Sequence, residues 1–495
     1  MLDEYRRRYE EFNTISMREH YLFLSGQKES LQIAPIFEAY RDLFERTAID
    51  QLSFEFEATP HHFEAARRSL LHLQMFAIEQ FLEDSVKHLT EAVNDYESSA
   101  TVQWNGRSMT FHDTAVALAS EPDRETRRVI YSKREAIVQN SNDLRQERVA
   151  KLHDAARQLG HSGYRTLFES LRQLDYSAIA FDAELLLDQT EQIFVESLSP
   201  ALSRSLGLSL DQAERHDAVF FLHLSDYDDW FPVNLLLPVY KSVMARLGVD
   251  VDSQSHISID SEPRPRKTAR AFCMPVSVPD DVKLVIRPSG GQSDYQSLLH
   301  ESGHAQHYGW TSASLPPEFK YTGDYALTET YAFLFNHLVS DPDWLATFLG
   351  FADSAEFVRS LMLARLVTIR RYAAKLIYEI RLHDGESFAD AANAYAELQT
   401  SATRFRTDPT DYLFDLDDGF YCAGYLRAWA LEVALRDHLK IRFGRQWWTS
   451  PKAGSLLKEL WEIGDRYNAD EIAKQIGIGP ISLQLLTEEF NTALR

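Results

Sequence analysis

Leu298-Leu-His-Glu-Ser-Gly-His-Ala-Gln-His307 decides how this 495-residue chain is read. On a helix, residues four apart lie one above the other, so His300 and His304 can both reach a single ion. Glu301 sits beside the first imidazole, where it can address a water on that ion. Two histidines, an intervening glutamate and helical spacing are the equipment of a hydrolytic metal centre. Leu298 and Leu299 predict a buried helix. Its expected start is after Ser289-Gly-Gly291, with Ser293 and Gln296 at capping-box spacing, and Gly309 offers a stop.

A catalytic zinc takes three protein ligands and keeps a position open for water. Downstream, Asp324-Tyr-Ala-Leu-Thr-Glu-Thr-Tyr-Ala-Phe-Leu-Phe-Asn-His-Leu338 reads as an apolar helix with Asp324 at its N-cap. Glu329 is the one formally charged side chain between Asp324 and Asp341. A carboxylate there is costly unless it meets a cation, so Glu329 is the candidate third ligand. Asp324 and His337 are weaker substitutes. His307 lacks the metzincin spacing and is taken as a substrate contact.

The motif, Glu329 and Gly419-Phe-Tyr-Cys-Ala-Gly-Tyr425 together resemble the thimet oligopeptidase and oligoendopeptidase F family of zinc peptidases. The resemblance implies His300, His304 and Glu329 as ligands of one Zn²⁺ per chain, with Glu301 as general base. It also implies Tyr421 and Tyr425 as phenol donors to the substrate carbonyl and the tetrahedral intermediate. The implied fold is mainly α-helical and two-lobed around a deep channel, with a small sheet beside the metal helix. The specific motifs cover roughly residues 270–440. Phe414-Asp-Leu-Asp-Asp418 lacks the histidine that the family places before its Gly-Tyr motif, and a later tyrosine of that motif falls on Ala428. Relatives of carboxypeptidase Taq and of angiotensin-converting enzyme precede the third ligand with histidine. Here threonine stands there.

Lys283-Leu-Val-Ile-Arg287 is β-branched and bounded by Pro279-Asp-Asp281 and Pro288-Ser-Gly-Gly291, which predicts a short strand. An extended peptide adding to its edge would be bound through the backbone, placing Leu284 and Ile286 among the substrate contacts. Residues 1–215 are expected to form an N-terminal helical lobe and 216–495 the catalytic lobe. In the first, Phe63 to Val93 and Asp123 to Leu159 read as long helices. Between them Thr101 to Phe111 reads as a hairpin turning at Asn105-Gly106.

The net charge of −23 argues against nucleic-acid or anionic-membrane partners. Two cysteines, Cys273 and Cys422, are too few for a disulfide scaffold. The N-terminal sequence lacks a signal-peptide core and no apolar run reaches transmembrane length, so a cytoplasmic location is the expectation. The function expected is cleavage of internal bonds in short unfolded peptides. A carboxypeptidase or dipeptidyl carboxypeptidase is the first alternative, and needs a cation for the substrate C-terminus: Arg365, Arg370, Arg371 and Arg427 are the candidates. An inactive peptide-binding homologue is the second.

Overall fold

The computed structural model describes residues 2–104, 106–264 and 266–495. Among them are twenty α-helices and five short strands, so the chain is mainly helical with small sheets. Contacts divide it into two compact units, each assembled from separate stretches. One comprises Met1–Phe81, Asp226–Ser354 and Arg427–Ser482; the other comprises Leu82–Ser225, Ala355–Leu426 and Leu483–Arg495.

In the second unit, a helix runs from Arg124 to Gln158. Its N-cap, Asp123, accepts the Thr126 N–H at 2.7 Å, which satisfies one of the donors a helix start leaves over. The hairpin forms as antiparallel β1 (Thr101–Trp104) and β2 (Arg107–Thr110), with Trp104 opposite Arg107. Asn105, half of the expected turn, lies outside the described residues.

The first unit carries the histidine motif. Three strands pair in the order β3 (Ile257–Asp260), β5 (Asp281–Val285) and β4 (Phe272–Ser277), parallel and then antiparallel. The expectation of a peptide adding to the strand at Lys283–Arg287 does not hold. That strand is β5, the central one, with both edges taken by neighbours. Leu284 and Ile286 are buried in the core, as the near-continuous apolar run of a middle strand requires. The outer strands are β3 and β4, and Pro275 of β4 suits an outer strand because it has no ladder N–H to give.

The motif helix, Gln292–Trp310, packs on β4 and β5. It does not start with the expected Ser293/Gln296 capping box. Gly291 is its N-cap, at φ 89°. Asp228 accepts the Gln292 N–H at 3.0 Å, and the Asp294 carboxylate accepts those of Ser289 and Gly290, both at 2.6 Å. A Cβ at position 291 would stand 2.5 Å from Asp228 Oδ1, so glycine is required by both backbone and neighbour. Gly309 does not end the helix; it makes room for Ile257 of β3.

Across the motif helix lies Tyr325–Asn336, capped as expected by Asp324, which accepts from Ala326 N–H at 3.0 Å. The two helices touch backbone to backbone at Gly303. A Cβ there would meet Tyr331 O at 2.5 Å and Ala332 Cα at 2.6 Å. Trp447, Trp448 and Trp461 are buried in the same unit, as their apolar surroundings predict.

Gly303→Ala must therefore push the second helix away. It is expected to lower stability by about 1–3 kcal/mol, the usual cost of overpacking, measured by urea denaturation. An Ala variant as stable as the parent would show that the contact can relax.

Candidate metal centre

The close helix pair sets three donor atoms together. His300 Nε2 lies 3.4 Å and His304 Nε2 3.7 Å from Glu329 Oε2. Two donors about 2.0–2.1 Å from one ion at a tetrahedral angle stand about 3.3 Å apart, so these spacings suit a small divalent ion. The imidazole rings, one turn apart on the same helix face, meet edge to face at 84°. Their side chains keep 17% and 12% of their surface while Glu329 keeps 4%, so the cluster is buried on the carboxylate side and reachable on the histidine side.

The electrostatics are asymmetric. Burial lowers the basicity of both imidazoles, but hydrogen bonding to Glu329 and its charge carry His300 above the usual histidine range. For His304 burial prevails and its pKa is lowered. His304 turns Nδ1 to Thr328 Oγ1 at 2.8 Å, which keeps Nε2 toward the cluster. A histidine whose second nitrogen is held by a neighbour is the usual form of a ligating imidazole.

Glu301 is held from the sheet: its Oε2 accepts the backbone N–H of Cys273, on β4, at 2.9 Å. The charge of Glu301 is felt by both imidazoles, and β4 sets the orientation of the carboxylate. No sequence pattern announces this bond, because its donor is main chain.

His307, expected as a substrate contact, is fully buried instead. It stacks on Tyr308 at 5.4 Å and meets Tyr331 edge-on at 5.0 Å. Burial, with the charge of His304, pushes its pKa down to about 3. Leu284 and Ile286 belong to the core of the sheet. Tyr421 and Tyr425 lie in the second unit, half-buried on the helix Tyr421–Phe443, with ring centroids 5.0 Å apart. Gly419 and Phe420 just before them have left-handed backbone, at φ 63° and 56°. Phe420 is held there by stacking on Tyr176 at 4.4 Å.

The carboxylate helix is anchored by a group not expected in that role. Arg427, buried, donates from Nη1 to both Asp324 oxygens at 2.9 Å and from Nη2 to Asp470 at 2.7 Å. Burial opposes the charge on Asp324, yet Arg427 and the N–H groups of Ala469 and Ala326 hold its pKa below the ordinary value.

A second group with metal-ligating atoms, Glu379, Asp417 and Cys422, lies in the other unit. Its chemistry suits an ion poorly. Lys375 Nζ already stands 2.8 Å from Asp417, and the Cys422 thiol, its pKa pushed well up by burial, donates to Glu379 at 3.0 Å. Two imidazoles and a carboxylate without such a competing ammonium make the first group the better fit for zinc.

No known family profile matches the chain, and no curated protein matches it. Solved structures do. A putative oligoendopeptidase F from Bacillus anthracis str. Ames matches with TM-score 0.72 at 13% identity, over 98% of this chain and 90% of that one. PZ peptidase A with inhibitor 2 matches with TM-score 0.71, at the same identity and coverage. The chain thus has the fold of these peptidases, and the resemblance read from its motifs holds at that level.

Replacing Arg427 by Met would leave the Asp324 carboxylate without its cation. Loss of one partner from a buried pair costs about 3–5 kcal/mol, so Arg427→Met is expected to unfold at distinctly lower urea concentration. A midpoint unchanged from the parent would show that Asp324 is held by its backbone donors alone.

Proposed function

We propose that this protein is a zinc-dependent oligopeptidase that cleaves internal bonds of short, unfolded peptides, with His300, His304 and Glu329 holding the ion and Glu301 as general base. The observation that carries the reading is the convergence of the three donor atoms on one point. The peptidase fold adds to it. A divalent ion held there would supply Lewis acidity, lowering the pKa of a water and polarising the scissile carbonyl.

The remaining work falls to the chain. Glu301 takes the proton of the attacking water and returns it to the leaving amine. The Cys273 N–H holds one carboxylate oxygen and so fixes the direction from which the other acts. An extended peptide pairs with the outer strand β4, alongside that bond, so that backbone hydrogen bonds supply affinity with little sequence preference. Tyr421 and Tyr425 enter through the resemblance, as phenols that donate to the developing oxyanion without adding a competing charge.

The alternative of a carboxypeptidase loses its named anchors. Arg427 is bound to Asp324, Arg365 lies 3.8 Å from Glu489, Arg370 faces Glu191 and Arg371 faces Asp415. Each cation is therefore already neutralised within the fold. An endopeptidase has no need of them.

The test is metal content and cleavage of an internally quenched peptide library, on the parent and Glu301→Gln side by side. One zinc per chain in both, with cleavage by the parent alone, is the expected result. His300→Ala and His304→Ala are expected to lose the metal. Zinc retained by the parent without cleavage of any peptide would make this a binding protein. Cleavage confined to peptides with free C-termini would make it a carboxypeptidase.

A further inference from the structure

Thr328 has no part in the chemistry proposed above, yet it stands against two histidines. Its Oγ1 lies 2.8 Å from Nδ1 of His304 and 3.4 Å from Nδ1 of His307. A hydroxyl has a single proton to give and lone pairs with which to accept. The direction of the bond to His304 can therefore be worked out from the role of its ring.

His304 turns Nε2 toward Glu329, at 3.7 Å. As a ligand it must present a lone pair there, so its one ring proton is on Nδ1 and is donated to Thr328 Oγ1. The threonine proton is then left for a second neighbour: Nδ1 of His307, at 3.4 Å, and the Tyr308 hydroxyl both face it.

We propose that Thr328 is a positioning residue, whose hydroxyl accepts the Nδ1–H of His304 and so keeps the lone pair of that ring on Nε2, aimed at the metal. Position 328 places the hydroxyl next to the ligand Glu329, so one turn of helix supplies both a donor atom to the ion and the brace for a second ligand. This inference rests on the metal reading given above.

The test measures zinc affinity of the full chain by competition with a chromophoric chelator, for the parent, Thr328→Val and Thr328→Ser. Valine keeps the shape and removes the hydroxyl. Removing such an outer partner typically costs 10–100-fold in metal affinity, so Thr328→Val is expected to bind zinc about 10–100-fold more weakly, with Thr328→Ser close to the parent. If the parent binds one zinc and Thr328→Val binds it equally tightly, Thr328 has no such role, while the metal reading stands. If the parent itself binds no zinc, the metal reading fails and takes this inference with it.

A second measurement needs no variant. Nitrogen-15 histidine spectra of the zinc-loaded parent are expected to show His304 bound through Nε2 with its proton on Nδ1. Binding through Nδ1 would overturn the proposal even if Thr328→Val failed to fold.

Discussion

Two helix backbones meet at Gly303 with no side chain between them, and the candidate centre depends on that approach. A Cβ would sit 2.5 Å from a carbonyl oxygen of the opposing helix, well inside contact distance. Because the helices are this close, a carboxylate from one and two imidazoles from the other fit within a single coordination sphere. The short separation also lets Thr328 reach behind His304. The residue between the two candidate ligand histidines is thus part of the geometry of the candidate centre, though it offers no donor atom.

Around that contact the chain fixes each helix by its own means. The motif helix is held at its start by Asp228 and Asp294, which accept the N–H groups a glycine-led entry leaves over. The carboxylate helix is held at its start by Asp324, whose charge is balanced by Arg427. The edge strand β4 reaches Glu301 through Cys273. A hydrolytic centre needs groups fixed to within a fraction of an ångström, and rigid elements with satisfied termini provide this better than loops do.

Much of this was legible in the sequence, and the misses have a common cause. Periodic helices, the Asp324 cap and the strands of the hairpin follow from local pattern, as do the three residues whose side chains the fold brings together, and local pattern is what a sequence displays. The misreadings concern partners far apart in the chain. Which strand of a short sheet is central depends on β3 and β4, and β4 carries a proline that hides it from a strand pattern. The capping box at Ser293 lost to Asp228, which is remote in sequence. His307 has polar chemistry and a helical position suited to a substrate, but the rings of Tyr308 and Tyr331 enclose it. Arg427 reads as a free cation until its two carboxylates are seen. Thr328 carries no sequence signal beyond standing one residue before Glu329.

X-ray absorption at the zinc edge of the loaded full chain tests the central claim most directly, because it reports the atoms around the ion. The account predicts a shell of nitrogen and oxygen donors about 2.0–2.1 Å from zinc, with the outer scattering of two imidazole rings and no sulfur. A sulfur donor at about 2.3 Å would mean that a cysteine holds the ion, Cys422 with Glu379 and Asp417 or Cys273 beside Glu301. That result would contradict the reading of His300, His304 and Glu329 as the metal centre.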